Sequence, residues 1–273
     1  MLAAVIQLQH IADTPYGFIH YKRSPVNRNY DPTPPLPSEY RETAARASKP
    51  KDAATLIVVR QQRGAEILMG RRAASHKFMP NKFVFPGGKL DIADQRLNLN
   101  SSLSPETLNR LRKFTQANTS DKKITGLALA AIRETFEETG LVVGRRVHGK
   151  MRSKNSSWQA YFDHEVEPAL DAIEFIARAI TPTYRVRRFD TRFFMVSEES
   201  TFINQNSLDK QSGELEQVRW IPLSEIRDLD LPGVTRWVLD EVEKRLMAST
   251  KSAPSMPTPF VQFVRGTTLE KLL

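Results

Sequence analysis

The stretch "RETFEETG", Arg133–Gly140, places three carboxylates, Glu134, Glu137 and Glu138, behind an arginine and ahead of a glycine. Acidic side chains three or four residues apart on a helix share a face and repel one another. Such a cluster becomes favourable when it binds a hard divalent cation, and Mg²⁺ is the usual choice where phosphates are handled. The competing reading is an ordinary solvated acidic helix face. The joint spacing R-E-x-x-E-E-x-G argues against it, because at ordinary residue frequencies its five fixed positions recur about once in a million sites.

Working outward, a helix is predicted from about Lys123 to Thr139. Leu129, Ile132 and Phe136 form its apolar stripe, and Gly140 is placed to end it. Upstream, "KFVFPGGK" reads as a short strand closed by Pro86, Gly87 and Gly88, and the glycines let backbone approach the carboxylates or a metal closely. Residues 95–122 between these two pieces are polar and basic. Within them Ser104 to Gln116 predicts a helix with Ser104 as N-cap, Pro105 at the first position, and Leu108, Leu111 and Phe114 on one side. "DAATLIVVR" and "AEILMGRR" read as a hairpin across "QQRG". Further on come a strand near "LVVGRRVHG", a helix at "EPALDAIEFIARAI", strands at "RFDTRFFMV" and "LEQVRWIPL", and a closing amphipathic helix at "LPGVTRWVLDEVEKRLM". The organisation predicted is one α/β domain over 51–248. A proline-rich stretch over 1–50 reads as a disordered or extended arm, and a proline- and serine-rich tail covers 249–273.

The bulk properties narrow the ligand. A chain of 273 residues with net charge +9 attracts anions, without choosing among nucleic acid, anionic membrane and phosphate esters. The absence of cysteine excludes disulfides, thiolate metal sites and cysteine nucleophiles. No apolar run approaches the ~18 residues of a membrane span, and the N-terminus lacks the basic region of a secretory signal, so a cytoplasmic protein is expected. The five histidines show no metal-ligand spacing. Basic patches without interleaved aromatics argue against sequence-specific nucleic-acid binding. Arg178, Arg185, Arg187, Arg188 and Arg192 form a basic run that reads equally as a phosphate clamp or as a cationic surface. Arg188 and Arg192 are the residues favoured for a clamp.

These motifs resemble the Nudix superfamily. "REtfEEtGL" is similar to the second half of the box G-x5-E-x7-R-E-U-x-E-E-x-G-U, where U is aliphatic, and "FPGGK" to the strand that enters it. The resemblance spans roughly residues 52–247. It implies an α/β/α sandwich around a mixed β-sheet, with Mg²⁺ or Mn²⁺ held by Glu134, Glu137 and Glu138 and a carboxylate oriented by Arg133. The box departs from the family in three ways. Asp94 stands where the first Glu belongs, 38 residues rather than seven separate it from Arg133, and Thr135 replaces an aliphatic residue. The box is therefore split by an insertion of about 31 residues.

A split box resembles the coenzyme A diphosphatase branch of animal peroxisomes and mitochondria and its bacterial relatives. That branch's upstream motif, L-L-T-x-R-(S/A)-x3-R-x3-G-x3-F-P-G-G, keeps its spacing in "LMGRRAASHKFMPNKFVFPGG". Arg72, Ala73 and the run from Phe85 match, while Lys77 stands for Arg and Asn81 for Gly. The resemblance implies hydrolysis of coenzyme A or an acyl-coenzyme A, with Arg72, Lys77, Gly87, Gly88, Arg188 and Arg192 at the substrate. Two alternatives stay open. One is a Nudix hydrolase of ADP-ribose, dinucleotide polyphosphates or capped RNA, and the other is a non-catalytic ligand sensor of the same fold. Glu214 and Glu216 are candidates for an additional base or ligand. The C-terminal "EKLL" is no peroxisomal address, which fits a bacterial cytoplasmic setting; a homodimer is compatible with the sequence.

Overall fold

The computed structural model describes residues 22–23, 47–62, 64–76, 79–116, 118–202, 213–248, 256–264 and 267–272. In chain order the strands and helices are β1 (Lys22–Arg23), β2 (Lys51–Gln61), β3 (Ala65–Arg72), β4 (Phe83–Val84), β5 (Gly87–Lys89), α1 (Pro105–Lys113) and α2 (Asp121–Thr139). There follow β6 (Val142–Arg146), α3 (Ser156–Phe162), β7 (Val166–Pro168), β8 (Glu174–Ile180), β9 (Phe189–Ser197) and β10 (Thr201–Phe202). β11 (Leu215–Pro222), α4 (Leu223–Ile226), α5 (Gly233–Met247), β12 (Pro259–Val264) and β13 (Thr267–Leu272) complete the fold.

The main sheet runs β1-β13-β12-β8-β9-β2-β3-β11, with β4 on β3 and β5 on β2. It is mixed. β2 lies parallel to β9 from Lys51↔Phe189 to Val59↔Ser197, and β12 lies parallel to β8, while β8 with β9, β2 with β3 and β3 with β11 are antiparallel. A smaller sheet has the order β10-β6-β7. The twofold alternation of β2 divides the core into two layers. Leu56 and Val58 pack with Leu127, Ile132 and Trp158 beneath α1, α2 and α3. Ile57 and Val59 pack with Val238, Leu239 and Val242 beneath α5. The result is the α/β/α sandwich with a mixed sheet that the sequence predicts.

α1 begins and α2 ends for the expected reasons. Ser104 caps α1 by accepting from the Thr107 N–H at 3.1 Å, with Pro105 opening the helix. Ser120 caps α2, and Gly140 closes it in the left-handed conformation at φ 71°. The segment 95–122 is more than a polar interruption, because Leu103 and Leu111 are buried in the core.

Two expectations fail and one element was not foreseen. "EPALDAIEFIARAI" is not a helix: it forms β7, a 3-10 turn over Leu170–Ala172, and β8. Phe175, Ile176 and Ala177 are buried at the centre of the sheet. An apolar run covered on both faces loses the two-residue alternation of a strand and mimics helical spacing. The stretch 249–273 is not only a tail, because β12 and β13 extend the sheet beyond β8. α3 was not foreseen. The 1–50 arm lies outside the described residues apart from 22–23, which pair with β13, and 47–50.

Candidate active site

α2 positions the carboxylates. Its first half is buried on nearly all sides by Ile124, Leu127, Ala128, Leu129, Ala130, Ala131 and Ile132, which fixes the helix rigidly between the sheet and α3. Its last turns carry Arg133, Glu134, Glu137 and Glu138 against β5. Thr135, at the position where an aliphatic residue is usual, is fully buried, and its hydroxyl donates to the Ala131 carbonyl at 2.8 Å. The buried hydroxyl is thereby satisfied within the helix.

Arg133 organises the cluster. Its Nε and Nη2 donate to Asp94 Oδ1 and Oδ2 at 2.8 and 3.0 Å, a bidentate pair. Nη2 also donates to the Lys89 carbonyl at 2.9 Å. Nη1 donates to Glu134 Oε1 at 3.0 Å and to Glu137 Oε2 at 3.1 Å. Asp94 is buried and accepts two further bonds, from Trp158 Nε1–H at 2.9 Å and from the Asp91 N–H at 2.8 Å. Its oxygens are committed to these donors, so Asp94 anchors Arg133 and does not face the carboxylate cluster. Trp158, on the unforeseen α3, is the partner that sequence reading missed.

Gly87 and Gly88 close the other side. The Gly87 N–H donates to Glu138 Oε2 at 2.9 Å. A Cβ on Gly88 would stand 2.3 Å from the Glu134 carboxyl carbon, and one on Gly87 would stand 2.5 Å from the Ala54 carbonyl. The close approach foreseen for these glycines is thus a steric requirement.

The electrostatics are uneven. Burial raises the Glu138 pKa to about 8; the Gly87 N–H opposes the rise and the nearby Glu134 adds to it. Burial likewise raises Glu134 to about 7, with Arg133 opposing and Glu137 adding. Arg133 is held firmly protonated: burial works against its charge, but Asp94, Glu134 and Glu137 outweigh it. Arg133 at Glu134 and Arg72 at Glu138 favour the charged carboxylates, but burial outweighs them at both groups. Among the described residues no group of three acidic or imidazole side chains already stands in metal-binding geometry.

Arg72, at the end of β3, is largely buried and donates from Nη2 to His76 Nδ1 at 2.7 Å. Burial lowers its pKa, Glu138 and Glu214 oppose that fall, and Arg187 adds to it, so all four groups are electrostatic neighbours. Glu214 is exposed and belongs to this neighbourhood. Glu216 does not: it pairs with Arg71 at 3.1 Å across β3 and β11. Asn81, where the coenzyme A motif has Gly, adopts φ 62°. That is left-handed geometry, which asparagine tolerates better than most residues. Lys77 lies outside the described residues.

The structure does not bring Arg188 and Arg192 to the carboxylates. Arg188 donates to the Thr181 carbonyl at 3.0 Å and to the Ser48 carbonyl at 2.8 Å. Arg192 is buried and donates to Asp52 Oδ1 at 2.6 Å and to the Asp190 carbonyl at 2.8 Å. Lys123 at the start of α2 pairs with the other Asp52 oxygen at 2.6 Å. Eleven residues of helix, roughly 16 Å, separate Lys123 from Glu134. Arg178 is also committed, with a bidentate pair to Asp190 at 2.7 and 2.6 Å. Of the basic run, the charge of Arg187 is felt at Arg72 and His76.

No family model matches the chain. It is 23% identical over 188 residues to a Caenorhabditis elegans protein named as nudix hydrolase 7, covering 64% of this chain and 53% of that protein. It is 28% identical over 176 residues to the acyl-coenzyme A diphosphatase NUDT19 of Xenopus laevis, covering 48% of this chain and 46% of that one. The chain thus spans about half the length of the curated relatives it matches. A NUDIX hydrolase structure from Alicyclobacillus acidocaldarius superposes with TM-score 0.53 at 26% identity, covering 76% of this chain and 96% of that one.

Proposed function

This chain is a member of the Nudix hydrolase superfamily, and on that premise we propose that it is a divalent-metal-dependent hydrolase. Its target is the phosphoanhydride of a nucleoside diphosphate linked to another moiety. The favoured substrate is coenzyme A or an acyl-coenzyme A, yielding 3′,5′-ADP and (acyl-)phosphopantetheine. One observation carries the reading: Glu134 and Glu138 are desolvated like charges beside glycine backbone, with Arg133 bonded to Glu134 and Glu137. Hard oxygen donors under mutual repulsion suit Mg²⁺ or Mn²⁺.

Glu134, Glu137 and Glu138 would hold the ion. Once bound it would neutralise the diphosphate and activate a water. Arg133, fixed by Asp94, sets the positions of Glu134 and Glu137, and the Gly87 N–H sets Glu138. Arg72 meets a substrate phosphate from the β3 side. A glutamate of the cluster, or Glu214 beside it, takes the proton of the attacking water.

Two observations favour coenzyme A within the superfamily. Arg72, at the motif's spacing, is an electrostatic neighbour of Glu138, and Asn81, at the position of the motif's glycine, adopts a left-handed backbone open to glycine. The similarity to an acyl-coenzyme A diphosphatase points the same way. Product analysis with Mg²⁺ or Mn²⁺ over coenzyme A, acyl-coenzyme A, ADP-ribose, dinucleotide polyphosphates and capped RNA tests the reading. Release of 3′,5′-ADP supports it. Faster turnover of another member of the panel assigns that substrate instead, and no turnover of any leaves a ligand sensor.

A further inference from the structure

Trp158 is fully buried on α3, outside the box, yet its indole N–H ends on the box by donating to Asp94 Oδ1 at 2.9 Å. Asp94 is buried too, and each of its oxygens accepts two bonds. Oδ1 takes Arg133 Nε and Trp158 Nε1, and Oδ2 takes Arg133 Nη2 and the Asp91 N–H. Two carboxylate oxygens offer about four lone pairs, so the set is filled. Arg133 is equally committed. Three of its N–H groups go to Asp94 and the Lys89 carbonyl, and two go to Glu134 and Glu137. A planar guanidinium turns as one body, so the edge it offers the glutamates follows the edge it offers Asp94. α3 holds the indole in place. Asn155 caps the helix by accepting from the backbone N–H of Trp158 at 3.0 Å. The indole stacks on Phe162 at 5.7 Å and meets Tyr161 edge-on at 5.2 Å, and the Tyr161 hydroxyl donates to the Val143 carbonyl at 2.6 Å.

We propose that Trp158 is a positioning residue for the metal site. Through Asp94 it fixes the plane of Arg133, and through Arg133 it fixes Glu134 and Glu137 for a divalent cation. The inference deepens the proposed function and rests on it for the ion. The path is short: Trp158 to Asp94 at 2.9 Å, Asp94 to Arg133 at 2.8 and 3.0 Å, and Arg133 to Glu134 and Glu137 at 3.0 and 3.1 Å. Without the indole N–H, Asp94 Oδ1 loses a charge-assisted bond and the carboxylate is free to turn. Arg133 then keeps its charge but not its aim. Partners that hold a metal's ligands carry about 10–100-fold in affinity, and Trp158 acts from one bond further back, so the lower end of that range, about tenfold, is expected.

The test reads ion binding rather than turnover. Equilibrium Mn²⁺ binding at pH 8 is measured for the full-length wild type, Trp158→Phe and Trp158→His. Both variants give up the fused ring system of the indole, and of the two histidine alone keeps a ring N–H. Trp158→Phe should bind Mn²⁺ about tenfold more weakly per folded molecule, and Trp158→His should recover most of that loss. A role limited to packing would affect the two variants alike. A second measurement needs no variant of Trp158. The chain has three tryptophans, so a nitrogen-15 spectrum shows three indole N–H signals, assigned with Trp220→Phe and Trp237→Phe. On titration with Mg²⁺ the Trp158 signal should shift, while those of Trp220, beneath Arg60, and of Trp237, bonded to Glu270, should hold. Equal Mn²⁺ affinities in the folded Trp158→Phe and Trp158→His proteins, or a Trp158 signal unmoved by saturating Mg²⁺, overturn the inference and leave the metal site standing. No ion binding by the wild type overturns the metal site and the inference with it. Binding in the predicted pattern without turnover of any nucleotide substrate refutes the hydrolase reading alone.

Discussion

The two ends of α2 treat charge in opposite ways. At its start, Lys123, Asp52, Arg192, Asp190 and Arg178 form a chain in which each carboxylate meets two basic side chains. Burial alone would raise the Asp52 pKa, but Lys123 and Arg192 together hold it below its ordinary value. At the end of the helix, Arg133 divides its donors among Asp94, Glu134 and Glu137, and Glu134 and Glu138 are pushed upward to about 7 and about 8. The first network is closed and holds the fold. The second is open, and in the proposed function a divalent cation completes it. Perturbed carboxylates in an incomplete network mark function more clearly than the density of charge does.

The sharpest way to break this contrast is Asp94→Ala. It strips Arg133 of its buried bidentate partner, and breaking one side of a buried pair costs about 3–5 kcal/mol. Melting temperature and turnover should both collapse. Glu138→Gln should separate the two properties: turnover should fall at least ~100-fold, a few kcal/mol of transition-state stabilisation, while the metal-free melting temperature is kept or raised. A drop in both would show that Glu138 holds the fold instead.

Acid–base behaviour gives a subtler distinction. Unfolded glutamates ionise near pH 4.5, whereas folded Glu134 and Glu138 hold their protons to about 7 and about 8. Their contribution to stability is full below about pH 4.5 and is lost as pH rises through those folded values. Between pH 5 and 8 their contribution to metal-free stability should therefore decline, and saturating Mg²⁺ should offset that decline. Chemical denaturation of wild type and Glu138→Gln across that range checks this, with the variant showing a shallower slope. The smallest effect on turnover belongs to Arg192→Met. It should cost stability, about 3–5 kcal/mol by the same buried-pair argument, yet leave turnover per folded molecule within about twofold. A KM increase above tenfold would return Arg192 to the substrate.

What was legible in the sequence follows the same division. α2, its stop at Gly140 and the glycines beside Glu134 and Glu138 are local in sequence, set by short-range spacing and backbone geometry, whereas its cap at Ser120, three residues before the predicted start, was not read. The anchor was only half legible. Asp94 stood at the right position, but its commitment to Arg133 depends on Trp158, carried by α3 and 64 residues away. β8 was misread as a helix because burial on both faces erased its alternation. β12 and β13 were hidden because a strand partnered across the fold needs no distinctive local pattern. The arginines of the basic run look alike in sequence, and only the fold tells Arg192, sunk against Asp52, from Arg187, exposed and with its charge felt at Arg72 and His76.

The most direct test of the open end of α2 is equilibrium Mn²⁺ binding, followed through the resonance of the free ion, for wild type and Glu138→Gln at pH 8. The wild type should take up the ion, and the variant should bind it at least about tenfold more weakly while melting at the same temperature or higher. Equal affinities in the two folded proteins would contradict the assignment of Glu134, Glu137 and Glu138 as a metal site.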